Sequence, residues 1–237
     1  MSKNKRKFIP FIIAVLAVTG IVAWYFKSQR MLEQSNNANA PTVNDTPAVQ
    51  DVPEGWESLF DGRSLAGWDI VRYGGEGEPY AVDGTLVLPM ATAGMMTGVR
   101  WVGETLPVID YIIYYEARRV AGHDIFAGLS FPYGDTSASL IIGGWGGIVN
   151  GLSSINDYDA SENETTRLFS LNDNEWYPVQ LRVTTDSIRA IVGNGQVIDI
   201  ATAGKNIHLR GGLADTGLTF WTYVTTGEIR NIRIKKL

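Results

Sequence analysis

Several stretches of this chain alternate apolar and polar side chains with a period of two, and this alternation constrains the fold more than any other feature. In VQLRVT, Val179, Leu181 and Val183 share one face, and the residues between them are polar. The C-terminal IRIKKL repeats the pattern, and DYIIYYEARR (110–119) has the length of a long strand that is amphipathic only at its end. Strands with one apolar face and one wet face are typical of antiparallel sheets.

Turn residues separate these strands at short intervals. Asp83-Gly84 within AVDGTLVLP and Gly193–Gly195 within RAIVGNGQVIDI each predict a hairpin. The chain of 237 residues contains 26 glycines, and no convincing amphipathic helix is found after residue 52. Many short strands at regular spacing predict an all-β fold, a β-sandwich of the jelly-roll type, for the domain 53–237.

The stretch GWESLFDGRSLAGWDI (Gly55–Ile70) concentrates large apolar side chains around a tight turn at Asp61-Gly62. Core packing at the edge where the chain enters the sandwich is the expected role, and a surface that grips a ligand is the alternative. The residues predicted to lie in the core are Trp56, Leu59, Phe60, Leu65 and Trp68.

The first 27 residues are predicted to be a cytoplasmic basic stub followed by a transmembrane anchor. An uncharged run from Phe8 to Phe26 follows four Lys or Arg residues, and at helical rise it spans the ~30 Å hydrocarbon core. A cleaved signal peptide is the competing interpretation, but Trp24 and Tyr25 stand where a small-residue cleavage site would be. Residues 28–52 have the composition of a flexible linker. The positive-inside rule then places the domain outside the cytoplasm, in the periplasm or at the cell surface.

Net charge and cysteine content exclude several classes of partner and chemistry. Residues 1–52 hold six Lys/Arg against three Asp/Glu, so the remainder holds fourteen against twenty-two and carries a net charge of −8. An acidic domain argues against a nucleic-acid partner, because phosphates require a basic footprint. The absence of cysteine excludes disulfides, a thiolate nucleophile and zinc bound by cysteine.

Five motifs together resemble a known family. They are SLFDGRSLAGW, YAVDGTLVL, YYEARR, EWYPVQLRVTTDSIRAIVGNGQVIDI and GEIRNIRIKKL, and they extend over residues 54–237. On these motifs the chain resembles the 3-keto-disaccharide hydrolase domain family, formerly a domain of unknown function. The middle part, from GHDIF to NDYDASENETTR, departs from the better-studied branch and resembles a planctomycete-type branch.

The resemblance implies a concanavalin-like, laminarinase-like sandwich and a carbohydrate partner. It also implies hydrolysis of the glycosidic bond in a 3-keto-disaccharide or a related oxidised glycoside. The keto group acidifies the hydrogen on the second carbon, a base removes it, the glycosidic oxygen leaves the first carbon, and water then adds. Such a site requires a base, a group that stabilises the enolate and often a metal. A non-catalytic carbohydrate-binding or cell-surface module on the same scaffold is the alternative.

The stretch NDYDASENETTR (156–167) is the most polar part of the domain and the first candidate site. Clustered hard oxygen ligands favour Ca²⁺, and the two glutamates would share one face if this piece were a strand. A solvated loop with Asx turns is the alternative. The predicted metal ligands are Asp157 and Asp159, the predicted catalytic carboxylates are Glu162 and Glu164, and the predicted substrate contacts are Asn156, Asn163 and Arg167.

Four further residues complete the predicted site. In LIIGGWGGIVNG, glycines flank Trp145 and leave its indole open for stacking against a sugar, or else the indole plugs the sandwich. In GHDIF, His123 and Asp124 are candidate catalytic residues, and a turn pair is the alternative, because neighbours on a regular strand point to opposite faces. Glu116 is a candidate catalytic carboxylate on the DYIIYYEARR strand, with a plain cross-strand charge pattern as the alternative.

Overall fold

The computed structural model of the chain describes residues 52–92, 94–210 and 217–237. All of them belong to the unit Val49–Leu237. The predicted transmembrane anchor (1–27) and almost the whole predicted linker (28–52) lie outside the described residues. Within the described ranges, no helix is long and apolar enough to cross a membrane.

Two antiparallel sheets form the domain, which confirms the predicted all-β sandwich. The eight-stranded sheet contains β1 (Glu57–Ser58), β3 (Tyr80–Val82), β4 (Thr85–Leu88), β6 (Tyr111–Gly122), β11 (Tyr177–Val183), β12 (Ser187–Val192), β13 (Gln196–Ala201) and β15 (Thr225–Lys236). The seven-stranded sheet contains β2 (Trp68–Ile70), β5 (Met96–Trp101), β7 (Gly128–Tyr133), β8 (Thr136–Gly143), β9 (Val149–Ser153), β10 (Arg167–Leu168) and β14 (Thr219–Tyr223).

The order of strands in each sheet requires many crossovers between the two layers. In the eight-stranded sheet the order is β13-β12-β11-β6-β15-β4-β3, and β1 pairs with the end of β15. In the seven-stranded sheet the order is β10-β9-β8-β7-β14-β5-β2. Both predicted hairpins are confirmed. Asp83 and Gly84 join β3 to β4 with φ values of 48° and 78°, the left-handed conformation that Asp-Gly turns adopt, and Gly193–Gly195 joins β12 to β13.

The hydrophobic core lies between the sheets, because one face of each strand points inward. On β6, Ile113 and Tyr115 are fully buried, and the residues between them are half-buried on the outer face. The alternation therefore runs along the whole strand and not only at its end. Tyr114 tolerates its outward position because the Arg233 guanidinium lies 4.3 Å from its ring centroid and Trp56 contacts its edge.

The aromatic stretch 55–70 packs into this core as predicted, with one exception. Trp56 lies half-buried on the outer face of the eight-stranded sheet, since it precedes β1, which pairs with the outer end of β15. The residues that do contribute to the core are Leu59, Phe60, Trp68 and, partly buried against them, Leu65.

Candidate functional site

The outer face of the seven-stranded sheet carries a row of polar side chains that crosses five neighbouring strands. Strand pairing places Thr219 of β14 between Arg100 of β5 and Ser130 of β7, and continues the row to Ser139 and Ser153 on β8 and β9. The residues next to them along each strand point into the core, so these five point away from it. We call Arg100, Thr219, Ser130, Ser139 and Ser153 the polar row.

Trp221 lies beside the polar row and is tied to it. Its indole packs over Gly128, where a Cβ atom would lie only 2.6 Å from the ring, so glycine is required at that position. Trp221 Nε1 donates a hydrogen bond to Ser130 Oγ at 3.2 Å, and Ser130 and Ser139 are joined by their hydroxyls at 3.1 Å. Thr219 is only 1% exposed, and its hydroxyl has no hydrogen-bond partner among the described residues.

Two ion pairs extend the polar row beyond β9. Asp157 Oδ1 lies 2.9 Å from His208 Nε2, and Asp159 Oδ2 lies 2.8 Å from Arg210 Nη1. Ser153, the last residue of the row, donates from Oγ to Asp159 Oδ1 at 3.2 Å. We call Asp157, Asp159, His208 and Arg210 the paired cluster; it is continuous with the polar row through this hydrogen bond.

Backbone pairing explains why the two charged segments meet. The Ser154 amide donates to the His208 carbonyl at 3.1 Å, and the Asn156 amide donates to the Asn206 carbonyl at 2.7 Å. Asn156 and Asp157 then adopt left-handed φ values of 52° and 71°, which Asn and Asp tolerate better than other side chains. This turn directs the Asp157 carboxylate back to His208.

Both ring nitrogens of His208 face acceptors. Nδ1 lies 2.9 Å from the Leu209 carbonyl and Nε2 lies 2.9 Å from Asp157. The hydrogen bond to the Leu209 carbonyl, and then the Asp157 carboxylate, raise the pKa of His208 above its ordinary value, although partial burial opposes them. The protonated form satisfies both acceptors, so the imidazolium is favoured in this arrangement.

The acidic loop forms turns, so the predicted strand-like display of its glutamates does not occur. The Glu162 and Asn163 amides both donate to the Asp159 carbonyl, and Glu162 is exposed. Glu164 is ion-paired with Lys205 on the neighbouring loop. The two glutamates therefore lie in the same loop as the paired cluster, but each has a separate environment.

The three predicted substrate contacts in this loop are occupied by the protein's own backbone. Asn163 Nδ2 donates to the carbonyls of Leu152 (2.7 Å), Tyr158 and Asp159, and Thr165 donates to its Oδ1. Arg167 donates from Nε to the Val197 carbonyl at 3.1 Å. Asn156 Oδ1 accepts from the Asn206 amide at 2.9 Å. These side chains hold the loop in place, and their contact with a substrate stays a prediction.

Glu116 lies on the outer face of the opposite, eight-stranded sheet. Its carboxylate accepts hydrogen bonds from Arg230 Nε at 2.8 Å and from Asn231 Nδ2 at 2.8 Å. Burial alone would raise the pKa of Glu116, but the hydrogen bonds from Asn231 and Arg230 hold it below its usual value. These contacts are those of the predicted alternative, a cross-strand charge pattern, and they place Glu116 on the other sheet from the polar row; its catalytic role stays a prediction.

The remaining predicted residues meet at a third place, the turn between β8 and β9. Asp124 Oδ2 accepts a hydrogen bond from the Gly146 amide at 3.2 Å, next to Trp145, and His123 is exposed beside it. Asp124 and Trp145 are thus brought together, whereas Glu116 and the acidic loop are not part of this group. The five predicted catalytic residues are distributed over three places.

The residues predicted to bind Ca²⁺ do not fit a divalent cation in this arrangement. Asp157 and Asp159 are each neutralised by a cationic side chain of the chain itself. Within residues 52–92, 94–210 and 217–237, no group of three or more His, Asp or Glu side chains is placed to hold a metal. A Ca²⁺ site usually needs six to eight oxygen ligands, which this pair of aspartates does not supply.

Sequence reasoning missed His208, Arg210 and the polar row. The alternation of His208 and Arg210 in NIHLR indicated that both point to one side, but nothing local to them pointed to Asp157, 51 residues away. The serines and Thr219 become a row only through strand pairing.

A sequence profile of the family described as the 3-keto-alpha-glucoside-1,2-lyase-like domain matches residues 55–235. The chain belongs to this family. The profile confirms the resemblance seen in the five motifs. No match is found among curated proteins.

Solved structures show the fold that this 3-keto-alpha-glucoside-1,2-lyase-like domain shares with others. The Crh5 transglycosylase in complex with NAG gives a TM-score of 0.54 at 8% identity, over 77% of this chain and 84% of that one. The exoplasmic/lumenal domain of VIP36 in its Ca²⁺/Man3GlcNAc-bound form gives 0.51 at 9% identity, over 74% and 87%. The carbohydrate binding module CBM66 from Bacillus subtilis gives 0.48 at 9%, over 72% and 96%. The first two establish a common β-sandwich.

The family motifs and the candidate site occupy different sheets of the 3-keto-alpha-glucoside-1,2-lyase-like domain. Four of the five motifs lie in strands of the eight-stranded sheet, namely β3–β4, β6, β11–β13 and β15, and the first connects β1 to the start of β2. The polar row lies on the seven-stranded sheet. The motifs therefore identify the fold of the domain, whereas the residues of the candidate site belong to the seven-stranded sheet and the loops beside it.

Proposed function

We propose that this domain cleaves the glycosidic bond of a glucoside that is oxidised at its third carbon, and that it does so at the paired cluster. The observation that carries the proposal is the placement of His208 and Arg210 at the end of the polar row, each held by an aspartate. Family membership supplies the substrate class. The family description names a 1,2-lyase, which corresponds to the elimination half of the reaction that the resemblance implied.

In the proposed reaction, His208 is the base. The imidazolium is favoured while Asp157 accepts from Nε2; when substrate displaces the exposed Asp157 carboxylate, that support is lost and the ring becomes neutral. Nδ1 then still donates its proton to the Leu209 carbonyl, and Nε2 is free to accept one. Nε2 takes the proton from the second carbon of the sugar, and a double bond forms between the first and second carbons. The glycosidic oxygen leaves with the bonding electron pair and takes up the proton from the His208 imidazolium, which becomes neutral again. Addition of water to this product completes the hydrolysis.

Arg210 stabilises the negative charge that develops on the keto oxygen. Its guanidinium is half exposed and is oriented by Asp159, which is itself fixed by Ser153. A guanidinium that is held in place before the reaction stabilises an enolate without reorganisation at the moment of proton transfer. The hydroxyls of the polar row and the indole of Trp221 are buried, so they support the paired cluster from below, through the hydrogen bond from Ser153 to Asp159, and are not themselves the surface that the sugar contacts.

The test is turnover of 3-keto-trehalose by the full-length protein, with products identified by mass spectrometry. We expect turnover by the wild type, strong loss in H208Q and R210Q, and no loss in R72Q. Arg72 is a matched control because it is an exposed arginine that pairs with Glu76 and Glu78 of its own loop and not with the paired cluster. Absence of wild-type turnover between pH 5 and 9 would refute the proposal. If H123Q lost turnover and H208Q kept full turnover, the base would be His123, as predicted from the sequence, and not His208.

A non-catalytic carbohydrate-binding module is the second candidate. The dispersal of Glu116, Asp124 and Glu164 over three places favours it, because no predicted pair of carboxylates shares one cleft. If the protein binds glucosides but leaves 3-keto-trehalose intact, it is a carbohydrate-binding module and not an enzyme for this substrate.

One expectation from the sequence, the location outside the cytoplasm, belongs to the proposal; the other, a divalent cation, does not, because Asp157 and Asp159 are already paired. The domain is held outside the cytoplasm by the apolar run Phe8–Phe26, which accessibility of the domain to protease in intact cells would test. The divalent cation is tested by an EDTA arm in the turnover assay. Activity lost with EDTA and restored by Ca²⁺ would require Asp157 and Asp159 to exchange their present partners for the ion.

A further inference from the structure

Trp145 differs from every other tryptophan in the described part of the chain. Five tryptophans have a hydrogen bond, a ring contact or a stacked arginine; they are Trp56, Trp68, Trp101, Trp176 and Trp221. Within the described ranges, Trp145 has no such contact, and it is 42% exposed. Its indole is therefore available for contact with a ligand in a way that the other described tryptophans are not.

The backbone at Trp145 is strained in a way that presents the indole to solvent. Trp145 has φ 49° and ψ 55°, a left-handed conformation that costs free energy for a bulky side chain. It lies in the short helical turn Gly144–Gly147, between β8 and β9. A glycine would adopt this conformation without cost, so the turn itself does not require a tryptophan.

Hydrogen bonds hold the strained turn from both sides. Gly146 donates to Asp124 Oδ2 at 3.2 Å, and Ile148 donates to the Gly144 carbonyl at 3.2 Å. Asp124 is fixed in turn, because its Oδ1 accepts from the Ile125 amide and its own amide donates to Thr225 Oγ1, both at 2.9 Å. The indole is therefore mounted on a rigid support.

The surroundings of Trp145 are small, apolar and open. A Cβ atom at Gly146 would have no neighbouring heavy atom within 4 Å, and Ile148 is half exposed. Leu168 on the edge strand β10 pairs with Val149 and is largely exposed. Two exposed apolar side chains thus lie near the turn in the chain and in strand pairing, far too few for the ~800 Å² per partner of a stable protein interface. One ring of a small ligand matches this small surface better than a protein does.

We propose that Trp145 is a stacking platform for a glucose ring and that Asp124 is its positioning residue. The inference rests on the proposed function for the class of ligand. The negative face of an indole attracts the partly positive C–H groups of a pyranose, and Ile148 and Leu168 extend the apolar contact. From Ser139 in the polar row to Gly143 at the turn is four strand residues, or about 13 Å. The platform is therefore separated from the polar row along β8, and it contacts a sugar unit other than the one that reacts at the paired cluster.

The experiment is calorimetric binding of an α-linked glucose tetrasaccharide, maltotetraose, to the full-length protein and its variants. We expect W145A to weaken binding at least tenfold, W145F to weaken it less, and Y80A to have no effect. Tyr80 is a matched control because it is an exposed aromatic residue on β3 of the other sheet. No binding by the wild type, or equal binding by W145A, would overturn the inference.

Two further variants separate the platform from a structural role. W145G relieves the left-handed strain, so it should keep or raise the melting temperature while it loses binding; a lower melting temperature would show that the indole is a plug and overturn the inference. D124A should weaken binding as W145A does, and D124N, which keeps an acceptor oxygen, should restore it. Failure of D124N to restore binding would remove Asp124 from the assignment.

The two proposals fail separately. Binding that depends on Trp145 without turnover of 3-keto-trehalose would refute the catalytic proposal and leave the platform in place. Turnover together with binding that is indifferent to Trp145 would do the reverse. If W145A instead converted a dimer to a monomer in sedimentation, the surface around Trp145 would be a protein contact and the inference would be wrong.

Discussion

The imidazole of His208 and the carboxylate of Asp157 form an ion pair with 2.9 Å between Nε2 and Oδ1, across 51 residues of sequence. A second ion pair, Asp159 with Arg210, follows two residues later on both segments. The turn at Asn156 and Asp157 and the backbone pairing of Ser154 with His208 make both contacts possible. The paired cluster is thus formed by two loop segments that are distant in sequence and pair through their backbones.

Replacing His208 with glutamine is expected to reduce turnover of 3-keto-trehalose by ~10²-fold or more, because general-base catalysis contributes about that much. Glutamine keeps a polar contact with Asp157 but does not take up a proton. Stopped-time product analysis measures the effect, with circular dichroism to verify folding. D157N should reduce turnover less than H208Q, and the double variant should resemble H208Q, since the two residues act through one pair. Independent, additive losses would contradict the pairing.

Glu116 is expected to make the stability of the domain pH-dependent in the acid range. Its folded-state pKa is lowered, so the carboxylate stabilises the fold above its unfolded pKa, and this contribution is lost as pH falls through the lower, folded value. E116Q should therefore be less stable than wild type at neutral pH by about 1–2 kcal/mol, with the difference vanishing in acid. Urea unfolding at several pH values gives the comparison. A difference that persists below the folded pKa would contradict the assignment to charge.

The buried hydroxyl of Thr219 is expected to lower the free energy of unfolding of the domain. Its oxygen has no partner among the described residues, so replacement with the isosteric valine should leave stability unchanged or raise it by up to ~1 kcal/mol. S130A is the contrasting variant, because it leaves Trp221 Nε1 without an acceptor and should destabilise by ~1–3 kcal/mol. Thermal unfolding distinguishes them. A destabilised T219V would reveal a partner for this hydroxyl.

Asn163 is expected to be the most sensitive residue of the acidic loop. Its side chain donates to three carbonyls and accepts from Thr165, so N163A should cost roughly 2–4 kcal/mol at about 1 kcal/mol for each lost hydrogen bond. E162Q, an exposed neighbour, should change stability by less than about 0.5 kcal/mol and serves as the control. Equal tolerance of both variants would show that the loop is not held by Asn163.

The architecture could be predicted because its determinants are local. Alternation in VQLRVT identified β11, and the Asp83-Gly84 turn needs left-handed backbone, which Asp and Gly adopt more readily than other residues. The residues of the site could not be predicted in the same way. Nothing near Asp157 in the sequence indicates whether its partner is a metal ion, a solvent molecule or an imidazole brought from residue 208.

The sequence by itself determined the all-β class, the hairpins, most of the core and the family, because side-chain periodicity, turn chemistry and motifs act over a few residues. Only the tertiary structure decided which sheet carries the polar row, which cation neutralises each aspartate, and that Trp145 alone among the described tryptophans lacks a partner. Strand pairing and ion pairing join residues distant in the chain. Their free energies depend on distance in space, which a local pattern does not encode.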